Sequence, residues 1–172
     1  MNCQYRIERP ISSTDVIKTH IIPETHNITI LFGGMDSTGY NRETWIYNHS
    51  SNTWTQMNPS TKPSPRNQHS MVYDSTHNIV ILFGGVPNLD DTWIYNYSND
   101  DWTNMNPSTK PSGRVRHSMV YDPVNDVVIL FGGSPSNDET WIYNYTANTW
   151  TMLNPSTKPS QLLHRIVLCI AH

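Results

Sequence analysis

Residues 79–96 read IVILFGGVPNLDDTWIYN: an apolar, β-branched run closed by two glycines, then a short polar connection, then a Trp-Ile-Tyr segment. A run this short, bounded by turn formers, is a strand and not a helix. It does not alternate with polar residues, so the strand is expected to be covered on both faces. Gly84 and Gly85 end it, because paired glycines permit positive φ and the close approach of a neighbouring backbone. Residues 92–96 (TWIYN) form the next strand, with Trp93 and Tyr95 on one face and Ile94 on the other.

Working outward, residues 69–73 (HSMVY) supply a strand before the apolar run, joined to it by DSTHN, a stretch rich in turn residues. A fourth strand starts at Trp102, and the Pro-rich NPSTKPS that follows cannot join a sheet ladder. The unit is therefore four short antiparallel strands and a connector. It recurs: Trp45, Trp93 and Trp141 are 48 apart, as are Trp54, Trp102 and Trp150, so all six tryptophans are repeat positions. The glycine pairs are Gly33 and Gly34, Gly84 and Gly85, and Gly132 and Gly133. The first spacing is 51 because the first unit has three extra residues between its second glycine and Trp45, expected to be a loop insertion. In that unit residues 19–23 (THIIP) stand where the others read HSMVY.

An apolar-Gly-Gly element, a Trp-x-Tyr strand and a second Trp nine residues on, recurring in order three times, resemble the kelch repeat over about residues 28–160. That resemblance implies the blades of a β-propeller, with the HSMVY strand nearest the axis. The expected fold is all-β: a partial kelch propeller of about three four-stranded blades plus a degenerate extra strand. Residues 1–18 are expected to be an irregular N-terminal segment. Blades occupy 19–58, 68–106 and 116–154, and 161–172 form an aberrant tail.

Propellers close with about 4 to 8 blades, and three and a half units do not close a ring. An uncovered blade face leaves large apolar side chains in water, each worth about 1.5 to 3 kcal/mol when buried. Further blades of a longer protein are expected to cover those faces, or a homo-oligomer, since two copies of three and a half units make seven. The tail favours the longer protein. It reads QLLHRIVLCIAH, but from Arg165 a shifted reading frame permits His, Ser, any residue, Val, Tyr, Ser and Pro, matching five of seven positions in residues 117–123. The expectation is a truncated kelch fragment with a frameshifted ending, whose residues 166–170 could serve as a makeshift strand.

Composition excludes several functions. With 15% charged residues and a net charge of −3, the chain lacks the basic footprint of a nucleic-acid binder. No apolar run approaches the length of a membrane span. The opening MNCQYRIERPISSTD has no apolar core of a signal peptide, so the expected location, if that N-terminus is natural, is cytoplasmic. Cys3 and Cys169 lie outside the regular repeats, and no disulfide framework or CxxC metal motif is expected.

Variation concentrates after the glycines, where the units read MDSTGYNRE, VPNLDD and SPSNDE. Loops on one propeller rim carry binding, so Asp36, Tyr40, Arg42, Asn88, Asp90, Asn137, Asp138 and Glu139 are the candidate partner-binding residues, against the plainer reading of solvated turns. Asp90, Asp91, Asp138 and Glu139 lack the spacing of a calcium loop. His69 and His117 recur at one blade position, where the first unit has Lys18, which favours a structural role over an axial metal. Arg66 and Arg114 are expected to bridge strands or connectors. The period of the Trp and Tyr sets favours core packing over sugar stacking. Asn27, Asn48, Asn96 and Asn144 begin N-x-S/T triplets, read as turns and not as glycan acceptors.

The kelch resemblance includes galactose oxidase, whose copper site needs a cysteine cross-linked to a tyrosine and several histidines. No cysteine lies in a regular repeat here, and no hydrolase, zincin or P-loop motif occurs. The expected function is a non-catalytic scaffold with no cofactor that binds a protein partner through rim loops. The alternative is a carbohydrate-binding or galactose-oxidase-like propeller fragment lacking its active-site blades.

Overall fold

The computed structural model describes residues 28–135, 138–159 and 168–169. These contain eleven strands, and no helix occurs among the described residues. The strands form three antiparallel sheets. The first holds β1 (Ile28–Asp36), β2 (Gly39–Asn48) and β3 (Thr53–Met57); the second β4 (Ser70–Asp74), β5 (Ile79–Phe83), β6 (Thr92–Asn96) and β7 (Asp101–Asn104). The third holds β8 (Ser118–Asp122), β9 (Val127–Phe131), β10 (Thr140–Asn144) and β11 (Thr149–Leu153). Each sheet is a simple up-and-down meander, so every connection within it is a hairpin. Residues 19–23, expected to open the first blade, lie outside the described residues, as do Lys18, Asn27 and most of the tail.

Five of the hairpin turns share one device. Asn52, Asn78, Asp100, Asp126 and Asn148 all have positive φ, between 48° and 57°, a region that Asn and Asp tolerate best among non-glycine residues. Each accepts a hydrogen bond from the tyrosine hydroxyl five residues earlier: Tyr47, Tyr73, Tyr95, Tyr121 and Tyr143, at 2.6–2.9 Å. The tyrosine ring packs in the sheet while its hydroxyl pins the turn. Asn48 and Asn96 accept from the backbone N–H two residues on, and Asn144 from that three residues on. The N-x-S/T asparagines at these three positions are thus turn residues.

Packing follows the same 48-residue register. One cluster joins Ile28, Ile30 and Phe32 of the first sheet to Val80, Leu82, Tyr95 and Trp102 of the second. The other joins Ile79, Ile81 and Phe83 of the second sheet to Val128, Leu130, Tyr143 and Trp150 of the third. The middle sheet is therefore covered on both faces, and all of β5 is buried, as its unbroken apolar run requires. The equivalent strands at either end are less completely covered: Leu31 in β1, and Val127 and Ile129 in β9, are only half-buried.

Two expectations change. The three extra residues of the first unit do not form a loop. β1 runs on through Gly33 and Gly34 to Asp36, shifting register between Phe32 and Gly34, and pairs with an equally extended β2. A hairpin can lengthen by extending its ladder, and Thr38 donates twice to Asp36 to close the tip, at 2.7 Å from N–H and 2.6 Å from Oγ1. The second change concerns cysteine. Cys169 is disulfide-bonded, and no free cysteine is present among the described residues. The expectation of no disulfide framework did not include this bond. Cys3 lies outside the described residues. No described helix is long and apolar enough to cross a membrane.

Candidate functional site

The rim is built around the glycine pairs. Gly33, Gly84 and Gly132 have φ of 65–69°, and Gly34, Gly85 and Gly133 of 109–116°. A Cβ on Gly84 would stand 2.7 Å from the carbonyl oxygen of Arg114, and one on Gly33 2.6 Å from that of Arg66. The glycine is thus where the chain opening the next blade crosses the loop, and Gly34 N–H and Gly85 N–H donate to those same carbonyls at 2.9 Å.

Beneath each loop lies a buried arginine. Arg66 is fully buried and holds both carboxylate oxygens of Asp91 at 2.6 and 2.7 Å, the carbonyl of Gly84 at 3.0 Å, and Ser64. Arg114 repeats this with Glu139 at 2.6 Å, the carbonyl of Gly132 at 3.1 Å, and Ser112. The same acids accept the tryptophan N–H two residues on: Trp93 to Asp91 at 2.7 Å and Trp141 to Glu139 at 2.9 Å. Burial raises the pKa of both carboxyls, but hydrogen bonding and charge from the arginine outweigh it, and each sits below its ordinary value. In the first sheet Glu43 accepts from Trp45 at 2.7 Å.

The candidate partner-binding residues therefore separate. Glu139 belongs to this framework. Asp90 pairs with Lys110 at 3.0 Å and Asp138 with Lys158 at 2.8 Å, each tying a rim loop to the Pro-rich connector that follows it. Asp36 closes a hairpin tip, and its pKa is lowered by the Thr38 hydrogen bonds. Tyr40, 48% exposed, stands beside it on the same tip. Arg42 and Asn88 are exposed, Asn88 with a φ of 70°. Asn137 lies outside the described residues. In the first sheet Arg42 and Lys62 occupy the positions where the others have Asp90 with Lys110 and Asp138 with Lys158, so the acid–lysine tie is replaced there by two cations.

His69 and His117 are buried at the start of β4 and β8. The ring of His117 packs edge-on to Phe83, 5.6 Å between centroids. Burial, with Arg114 and His69 nearby, pushes the pKa of His117 down to about 3, so it is neutral. A group not expected from sequence joins the turns of the second and third sheets. His77 Nδ1 is 2.8 Å from Asp74 Oδ2 and 3.7 Å from Asp126 Oδ1, and its ring packs on Tyr145 at 4.8 Å. Its signal was faint, since Asp126 merely replaces Asn78 of the repeat.

Three meanders stacked in one register, with glycines where the next blade crosses, match the blade anatomy the repeat implied. The KLHDC2/KLHL20/DRC7 kelch-repeats domain family matches residues 17–133, more than half the chain. The chain belongs to the kelch-repeat family. No curated protein matches it. In kelch terms the sheets are consecutive blades of a propeller, β4 and β8 are their inner strands, and the glycine-pair loops lie where each blade meets the connector to the next.

Proposed function

We propose that this kelch module is a non-catalytic scaffold that binds a protein partner through the glycine-pair rim loops. The observation that carries this reading is the contrast within each loop. The Arg–acid–Trp framework is shared by the second and third blades, while the exposed Tyr40 and Asn88 stand at one repeat position and differ, and the exposed Arg42 stands where the other two blades have aspartate. A fixed framework with variable exposed side chains suits recognition by position. Kelch repeats commonly serve protein interaction, which supports a protein over a sugar as the ligand. Homo-oligomerisation belongs to the same reading, because the first blade leaves Trp54 half exposed.

The test is capture of a partner by immobilised chain, compared with Tyr40→Ala/Arg42→Ala and Asn88→Ala variants. Capture should fall at least tenfold with the thermal midpoint unchanged, and it should be indifferent to chelator and to competing monosaccharide. Capture abolished by sugar would favour the carbohydrate-binding alternative.

A further inference from the structure

At the end of the strands opposite the glycine-pair loops, the seam between the second and third blades gathers three donor side chains. Asp74 ends β4, His77 lies in the turn that follows, and Asp126 ends the matching turn of the third blade, just before β9. One ligand atom of each lies within 4.8 Å of the other two. His77 Nδ1 is 2.8 Å from Asp74 Oδ2 and 3.7 Å from Asp126 Oδ1.

The turns do not need these residues to form. Where the third unit has Asp126 the first two have Asn27 and Asn78, and where the second has His77 the third has Asn125. Asn125 serves its own turn, donating from Nδ2 to Asp122 Oδ2 at 2.7 Å, and Asn78 accepts from its tyrosine as Asp126 does. Asparagine suffices at both positions. A histidine from one blade and an extra carboxylate from the next meet across this seam all the same.

Each donor is also held from behind. Asp74 Oδ1 accepts the backbone N–H of Thr76 and of His77, both at 3.0 Å, which leaves Oδ2 facing the histidine. The Tyr121 hydroxyl donates to Asp126 at 2.7 Å. His77 Nε2 lies 3.4 Å from Thr146 Oγ1, and Tyr145 packs edge-on against the ring. With the ring proton on Nε2, donated to the threonine, Nδ1 turns a lone pair between the two carboxylates. Metal-bound histidines use their second nitrogen in this way.

Burial adds a second reason. The Asp74 side chain is 1% exposed, and buried charges are ordinarily paired or bound to metals. Asp91 has Arg66 for this purpose, whereas the basic group paired with Asp74 is the imidazole of His77. We infer that Asp74, His77 and Asp126 bind a divalent transition-metal ion of the zinc class. One imidazole nitrogen and two carboxylate oxygens suit zinc, which accepts three protein ligands with water in the fourth position. Magnesium and calcium, which take oxygen donors, are disfavoured by the imidazole. Zinc held at about 2.0–2.2 Å sets tetrahedral ligands about 3.3–3.6 Å apart. The 2.8 Å pair opens slightly and the 3.7 Å pair closes slightly, and Asp126, at the solvent side, has room to turn. The bound ion ties the second blade to the third at one end of the seam that Trp150 and Thr92 bridge within. It stands apart from the rim loops and from their partner.

Zinc chloride titrated into the metal-free chain should bind with one ion per chain by calorimetry and raise the thermal midpoint, while magnesium chloride should do neither. His77→Asn and Asp126→Asn, each installing the residue that another unit carries there, should keep the far-UV circular dichroism. Each should weaken zinc binding by about 100-fold or more, and Thr146→Val, which removes only the partner of Nε2, by about 10- to 100-fold. Zinc that leaves the midpoint unchanged would overturn the site. So would zinc bound as tightly by folded His77→Asn and Asp126→Asn as by the unaltered chain, which would place the ion on other histidines.

Discussion

Trp150 donates its indole N–H to Thr92 Oγ1 at 2.9 Å in the seam between the second and third blades, and both residues are at most 1% exposed. A threonine in a strand thereby satisfies a buried donor 58 residues away.

Thr92→Val removes the acceptor while keeping the shape, leaving the indole N–H buried and unmatched. That should cost about 1–3 kcal/mol in urea unfolding. Thr92→Ser should recover part of it. Trp54→Phe should cost less than about 0.5 kcal/mol in monomer stability, because its ring is half exposed.

The buried Arg114 is held by Glu139 at 2.6 Å. Arg114→Ala should destabilise by about 1–3 kcal/mol, chiefly because the Gly132 carbonyl that the guanidinium caps loses its donor, whereas Glu139, 34% exposed, can turn to water. A double-mutant cycle with Glu139→Gln should show strong coupling, whereas Asp138→Asn, at an exposed pair, should change stability by under about 1 kcal/mol.

His117 makes stability depend on pH above the carboxylate range. Its folded pKa is about 3, against 6.5 ordinarily, so the unfolded chain takes up a proton that the folded chain refuses. Its effect is absent above about pH 6.5, and stability then falls by about 1.4 kcal/mol per unit as pH drops below that value. Asp91 and Glu139, with lowered pKa, lose their contribution only as pH falls below their ordinary values and through the folded ones. Between pH 6.5 and about 4.5, His117→Gln should therefore flatten the slope of unfolding free energy against pH by about one proton.

Gly84 and Gly39 separate two costs. Both have positive φ, but a Cβ on Gly39 meets nothing within 4 Å while one on Gly84 meets the Arg114 carbonyl at 2.7 Å. Gly39→Ala should cost about 1–2 kcal/mol from backbone strain alone. Gly84→Ala should cost clearly more in thermal denaturation, because the loop and the next blade must also move apart.

The blade was legible because its signals are local. Strand length, glycine pairs, turn asparagines and the 48-residue register all lie within one unit, and the strands form in the order the unit implied. The Arg–acid–Trp framework was half legible: Arg66 and Arg114 stood out as bridges, but Glu139 read as a rim residue because its partner lies 25 residues away. The extended first hairpin was misread as a loop because a three-residue insertion looks the same in sequence whether it lengthens a loop or a ladder.

What the sequence alone determined is thus the repeating unit and its two-faced strands, since alternation and turn chemistry act between near neighbours along the chain. Only the tertiary structure decided which face meets which. That an indole of one blade seeks a threonine of the blade before, leaving Trp54 of the first blade half exposed, depends on stacking across the seams, and stacking has no signature within a single unit.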